Sequence, residues 1–145
     1  MPTISKTALV PYSAADMYRL VDDVRSYPEF LPWCGGSQEL SRTQDEVHAC
    51  VEIAFGAVHK SFTTLNRLQK NKMIEITLVD GPFRHLHGFW RFKVLDEKAC
   101  KVSLDMEYEF SNRLVSMALG PAFSQIANSM MDAFCERAGV VYGKG

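Results

Sequence analysis

VDGPFRHLHGFWRF, residues 79–92, decides how this chain is read. Asp80-Gly81-Pro82 opens the stretch as a turn, because glycine tolerates positive φ while proline fixes φ and donates nothing to a ladder. Beyond the turn the residues alternate. Leu86, Gly88, Trp90, Phe92 and Val94 share one parity; His85, His87, Phe89, Arg91 and Lys93 share the other. A period of two predicts a strand with one dry and one wet face. The dry face holds two large aromatics beside a glycine, and a glycine inside a strand marks a bend or a close approach. A curved sheet with aromatics around a gap predicts a container.

The same alternation runs outward from this stretch. Val47, Ala49, Val51, Ile53 and Phe55 oppose His48, Cys50, Glu52 and Ala54. Ile74, Ile76 and Leu78 oppose Glu75 and Thr77, and the even positions from Cys100 to Phe110 oppose Lys101, Ser103, Asp105, Glu107 and Glu109. These predict strands of an antiparallel meander from about residue 37 to 111. Residues 58–70 differ: Val58, Phe62 and Leu68 share their parity with Lys60, Thr64 and Asn66, so a partly polar inner face is expected there.

Helices flank the strands. Residues 3–11 predict a short first strand, and Ser13 with Asp16 predicts a helix start, with Met17, Leu20, Val21 and Val24 as its apolar stripe. SYPEFLPWCGG (26–36) predicts a helical turn and then a loop. A last helix begins near Asn112, breaks at Gly120-Pro121, and continues to Gly143 with a stripe of Phe123, Ile126, Ala127, Met130, Phe134, Ala138 and Val141. Six or seven strands with one apolar face need cover, and one helix cannot fill a strongly curved concavity. A pocket is therefore expected. Spacing alone leaves a second reading open, in which the same aromatics simply close the core.

The chain has 145 residues and a net charge of −1, with 47% hydrophobic and 23% charged residues, which fits one globular domain over 1–145. No apolar run reaches the roughly 18 residues of a membrane span, and no signal or transit pattern opens the chain, so a cytoplasmic location is expected. Cys34, Cys50, Cys100 and Cys135 are too scattered for a zinc site and read as reduced thiols. Charge is segregated. Residues 59–101 carry nine Lys/Arg against four acids, a local +5 that could meet the phosphate of lipid headgroups or RNA. A solvated sheet face is the alternative, and DNA is not expected.

Chemistry is sparse. There is no nucleophile elbow, phosphate-cradling loop or nucleotide fingerprint. His85 and His87 are spaced to chelate, yet nothing local completes a metal site. No catalytic residue, metal or cofactor is expected, and the chain reads as not an enzyme.

VPYSAADMYRLVDDVRSYPEFLPWC (10–34), VDGPFRHLHGFWRF and YEFSNRLVSMALGPAFSQIANSMMDAFCERA (108–138) resemble the coenzyme Q-binding / ribosome-association-toxin family, a START-like branch of the helix-grip superfamily that includes polyketide cyclases. The likeness runs from Ile4 to Tyr142 and is strongest toward the bacterial, ribosome-associating members. It implies an α+β fold of order β-α-α-β6-α, with a tunnel between a curved sheet and a long C-terminal helix. It also implies two functions. One is non-enzymatic binding of ubiquinone or another isoprenoid lipid in support of respiration, with peripheral membrane contact. The other is binding the large (50S) ribosomal subunit as a toxin that blocks subunit joining. A polyketide cyclase is a third, weaker implication. Candidate ligand-binding residues are Trp33, Phe62, Leu86, Trp90, Phe92, Phe123, Ile126 and Met130, with Phe30 and Phe83 near an entrance and Lys60, Thr64 and Asn66 toward a head group. Candidate rRNA contacts are Arg67, Lys70, Arg84, Arg91 and Lys93.

Overall fold

Gly81 has φ of +156°, and a Cβ there would stand 2.6 Å from the Phe62 Cβ. Only glycine lets the chain pass here from β5 (Met73–Asp80) into β6 (Phe83–Asp96). In the computed structural model, which describes residues 3–143 apart from the side chains of Phe55 and Val58, these two strands lie inside one antiparallel sheet. The inward parity expected of Phe55 and Val58 lies outside the described residues. The other strands are β1 (Thr3–Val10), β2 (Cys34–Arg42), β3 (Glu46–Phe55), β4 (Val58–Gln69) and β7 (Ala99–Phe110). Their spatial order is β1-β7-β6-β5-β4-β3-β2. Register shifts interrupt three of the six pairings, in β2, at Thr63/Thr64 and at both ends of β6, and such bulges add bend and twist to a sheet.

α1 (Ala14–Asp22) starts where Ser13 accepts a hydrogen bond from the Asp16 N–H at 3.1 Å. A 3₁₀ turn at Val24–Ser26 and α2 (Tyr27–Phe30) then carry the chain from one edge strand to the other. α3 (Arg113–Tyr142) is capped by Asn112, which accepts from the Val115 N–H at 2.9 Å, and it packs against β1, β7, β4 and α1. Phe134 is its hub: wholly buried, it meets Trp90, Phe30 and Tyr27 with ring centroids 5.2, 5.2 and 5.6 Å away.

Four details depart from the sequence expectations. β2 begins at Cys34 rather than near 37, because Cys34 pairs with Ile53 and the Ala54 N–H donates to the Trp33 carbonyl. α3 is continuous through Gly120-Pro121. Pro121 lies on the exposed side, so the helical carbonyl it leaves without a donor faces water. Val94 is 65% exposed, since β6 overruns the core and shifts register at Val94/Asp96. Val141 is also exposed, while its neighbour Tyr142 packs on Tyr12 and donates to the Asp16 carbonyl.

Candidate functional site: an apolar cavity beneath the sheet

Odd positions of β3 and even positions of β4, β5, β6 and β7 converge on one space that α3 does not fill. It is a cavity of about 80 Å³ walled by Val24, Tyr27, Trp33, Ala49, Val51, Ile53, Phe62, Thr64, Asn66, Ile76, Leu86, Trp90, Met106, Phe123, Ile126 and Met130. No carboxylate, imidazole, amine or thiol belongs to that wall, so it is suited to a neutral ligand. The volume is small beside the roughly 300–1,000 Å³ of drug-sized sites. Met106 and Met130 are its adaptable walls, because a thioether on an unbranched stem repacks easily.

Seven candidates meet at this cavity: Trp33, Phe62, Leu86, Trp90, Phe123, Ile126 and Met130. Three do not. Phe92 points inward as its parity requires, but it packs beneath α1, with its ring centroid 5.7 Å from that of Tyr18 and 6.5 Å from that of Trp90. Phe83 belongs to a stack with Phe62, Phe110, Phe123 and Tyr108 that fills one end of the concavity. Phe30 lies in an outer groove with Pro32, Gln125 and Ser129, held by Arg137, which crosses its ring at 5.1 Å and bonds Glu29 at 3.0 Å. Trp33 and Ile126 border both groove and cavity and so form the wall between them.

The polar inner face of β4 is present in two of its three residues. Thr64 is the one buried polar side chain among the described residues, and its hydroxyl donates to Asn66 Oδ1 at 2.9 Å. Lys60 is exposed near the start of the strand and is absent from the cavity wall. Tyr27 is satisfied: its hydroxyl donates to the Val21 carbonyl, and burial pushes its phenol far above the ordinary range. Trp33 is different. It is 6% exposed, and its Nε1–H is the only buried side-chain polar atom among the described residues that meets no partner. Leaving such a donor unmet costs about 1–3 kcal/mol. The sequence reading named neither Tyr27 nor Met106 nor the β3 residues as ligand-binding candidates. Alternation marks Met106 and the β3 residues as inward, Tyr27 lies on α2 and carries no such mark, and only the fold sets them around one space.

The opposite face of β6 carries charge, already paired. His85 and His87 lie 3.0 and 2.8 Å from Glu107 and Glu75, and Arg84 and Arg91 meet Glu109 and Asp105 at 3.3 and 3.1 Å. Arg67 reaches Glu46 at 3.6 Å. No group of three potential metal ligands occurs among the described residues. The lysines are placed otherwise. Met73 pairs with Arg91, and the Phe92 N–H donates to the Lys72 carbonyl, which brings the 70–72 and 97–98 turns to one end of the sheet. Lys70, Lys72, Lys93, Lys98 and Lys101 gather there, exposed and outside every ion pair among the described residues, near Asp96 and Glu97. Leu9, Val94 and Leu95 are exposed at the same end.

Residues 10–135 match the family model described as polyketide cyclase / dehydrase and lipid transport. The chain belongs to that family. Within it, the chain is 48% identical over 140 residues to a Pseudomonas aeruginosa protein named ribosome association toxin RatA, covering 97% of each. It is 28% identical to the mitochondrial coenzyme Q-binding protein COQ10 homolog B of Xenopus laevis, with 97% of this chain and 59% of that protein aligned. The crystal structure of the Zhui aromatase/cyclase of Streptomyces sp. R1128 superposes with a TM-score of 0.84 over 99% of this chain and 98% of that one. At 15% identity this last likeness bears on the fold alone, and it is the helix-grip fold of the family.

Proposed function

We propose that residues 1–145 form one START-like domain that binds a neutral hydrophobic ligand of the polyprenyl quinone class, in the cytoplasm and without catalysis, in support of respiration. The cavity carries this reading: its lining residues are apolar apart from the Thr64–Asn66 pair and the single polar atoms of Tyr27 and Trp33, the small polar content suited to a ligand with one head group. In its closed form the cavity takes a piece of such a ligand, and a longer tail requires Met106 and Met130 to swing aside. The relative named a coenzyme Q-binding protein supports the same class. Extraction of the purified protein followed by mass spectrometry, with added ubiquinone as a second arm, tests it. Native lipid or saturable quinone uptake is expected; protein that emerges empty and takes up none overturns the proposal.

A second reading, association with the large ribosomal subunit, draws support from relatives named ribosome association toxin and from the five lysines at the sheet end. Phosphate contacts by Lys70 and Lys93 release counterions, whereas Arg67, Arg84 and Arg91 must first leave their carboxylates. Co-sedimentation with 50S subunits across a salt series should weaken with salt, and Lys70→Glu with Lys93→Glu should weaken it further. Binding that ignores both salt and charge reversal overturns this reading.

A further inference from the structure

We infer that the end of the sheet formed by the β4–β5 and β6–β7 turns docks on an anionic lipid bilayer, its lysines on headgroup phosphates and its exposed aliphatic side chains in the interface. Charge supplies the first reason. Lys70, Lys72, Lys93, Lys98 and Lys101 are exposed there and belong to no ion pair among the described residues. Asp96 and Glu97 at the tip and Asp45 in the neighbouring turn oppose them, and Asp96 is bent back onto the Lys98 N–H at 3.2 Å. Positive charge therefore prevails at this end.

The second reason is apolar. Leu9, Lys101 and Lys93 are cross-strand partners on β1, β7 and β6, so their side chains stand in one row on the outer face. Val94 and Leu95 follow where β6 overruns the core. Leu9, Val94 and Leu95 are 73%, 65% and 52% exposed. An RNA offers such a patch phosphate and ribose, which leave the aliphatic side chains in water. An anionic bilayer satisfies both halves: headgroups hold the ammonium groups, the interface takes the aliphatics, and the lysine stems lie along it. None of these residues lines the cavity, so the surface is independent of what the cavity holds, but it competes with RNA for the same lysines.

Co-flotation with phosphatidylcholine vesicles, with and without phosphatidylglycerol and free of quinone, tests this beside co-sedimentation with 50S subunits. Flotation is expected with the anionic vesicles alone and should weaken as salt rises. Lys72→Gln with Lys101→Gln should cut vesicle binding roughly 25-fold, about fivefold for each lysine. Leu9→Ser with Leu95→Ser changes only exposed positions, so the fold should hold; vesicle binding should fall roughly tenfold and any 50S binding stay unchanged. Insertion has its own readout. Trp33 and Trp90, the two indoles of the chain, are buried, so Leu95→Trp adds an exposed one whose emission should shift to the blue with anionic vesicles and not with heparin.

No flotation with anionic vesicles would overturn the proposal. Flotation that Leu9→Ser with Leu95→Ser leaves unchanged, or a Leu95→Trp emission that vesicles do not move, would overturn it too and make this end a surface of charge alone, open to RNA. The cavity reading survives each of these failures, because quinone uptake is measured without vesicles.

Discussion

Gly88 sits where β7 crowds β6, and Gly88→Ala measures how closely the two strands approach. The residue pairs with Ile76 on one side and Met106 on the other. A Cβ there would stand 2.9 Å from the Asp105 carbonyl oxygen and 3.2 Å from both Cβ and Cγ of Met106. The Met106 chain can yield, but the Asp105 oxygen is backbone and moves only with β7. Overpacking of this kind costs about 1–3 kcal/mol. Replacing a strand glycine returns about 0.5–1 kcal/mol of chain entropy. A net loss of roughly 1–2 kcal/mol follows, lowering a urea midpoint by about 0.5–1 M. Gly36→Ala is the control, since nothing lies within 4 Å of its would-be Cβ, and stability should hold or rise slightly. Equal midpoints for Gly88→Ala and wild type, or equal losses in both variants, would refute the close-approach argument.

Other perturbations follow from the same geometry. Phe134→Ala empties the hub beneath Trp90 and should cost about 3–5 kcal/mol by urea denaturation, among the largest single losses in the chain. Burial raises the Tyr18 phenol to about 12, Tyr27 further, and the thiols of Cys34, Cys100 and Cys135. The unfolded chain therefore releases these protons first, near pH ~8.5 for thiols and ~10 for phenols. Stability should be whole below that window and decline above it; urea midpoints constant from pH 8 to 11 would contradict this. Arg42 bonds both Glu39 and Asp22, joining β2 to the end of α1, and holds the Glu39 carboxyl below its ordinary range. The Glu39 share of stability is present above its unfolded value near ~4.3 and fades as pH falls through the lower folded one. Arg42→Gln should cost about 0.5–1 kcal/mol at pH 7 and flatten that acid limb.

The sheet was legible wherever two faces meet two environments. β3, β5, β6 and β7 alternate cleanly because each has a dry side toward α3 and a wet side toward solvent, and Ser13 announced α1 through its side chain alone. What escaped depends on partners distant in sequence. Phe92 and Trp90 share a parity, yet only Trp90 reaches the cavity, because Tyr18 of α1 covers Phe92. Pro121 looks like a break when its neighbours are unknown, and is tolerated once its side faces water. The unmet donor of Trp33 has no sequence signature at all. It is visible only when every acceptor around the indole has been placed.

Charge shows the same dependence most sharply. Along the chain, residues 59–101 are basic, but β6 folds against β7, and Asp105 and Glu109 of that strand meet Arg91 and Arg84. Each exposed pair is worth no more than about 1 kcal/mol, so a phosphate could displace it cheaply. The carboxylate left behind would still repel the newcomer, and little net attraction would remain. The sheet-end lysines carry no such opposition from a paired acid. On the proposed second reading, a phosphate-bearing partner would therefore be drawn to the end of the sheet rather than to its outer face. The cavity lies beneath the middle of the same strands, lined by residues of opposite parity. A ligand within and a partner at the end would not compete for any side chain, and the strands they share include β4, β6 and β7.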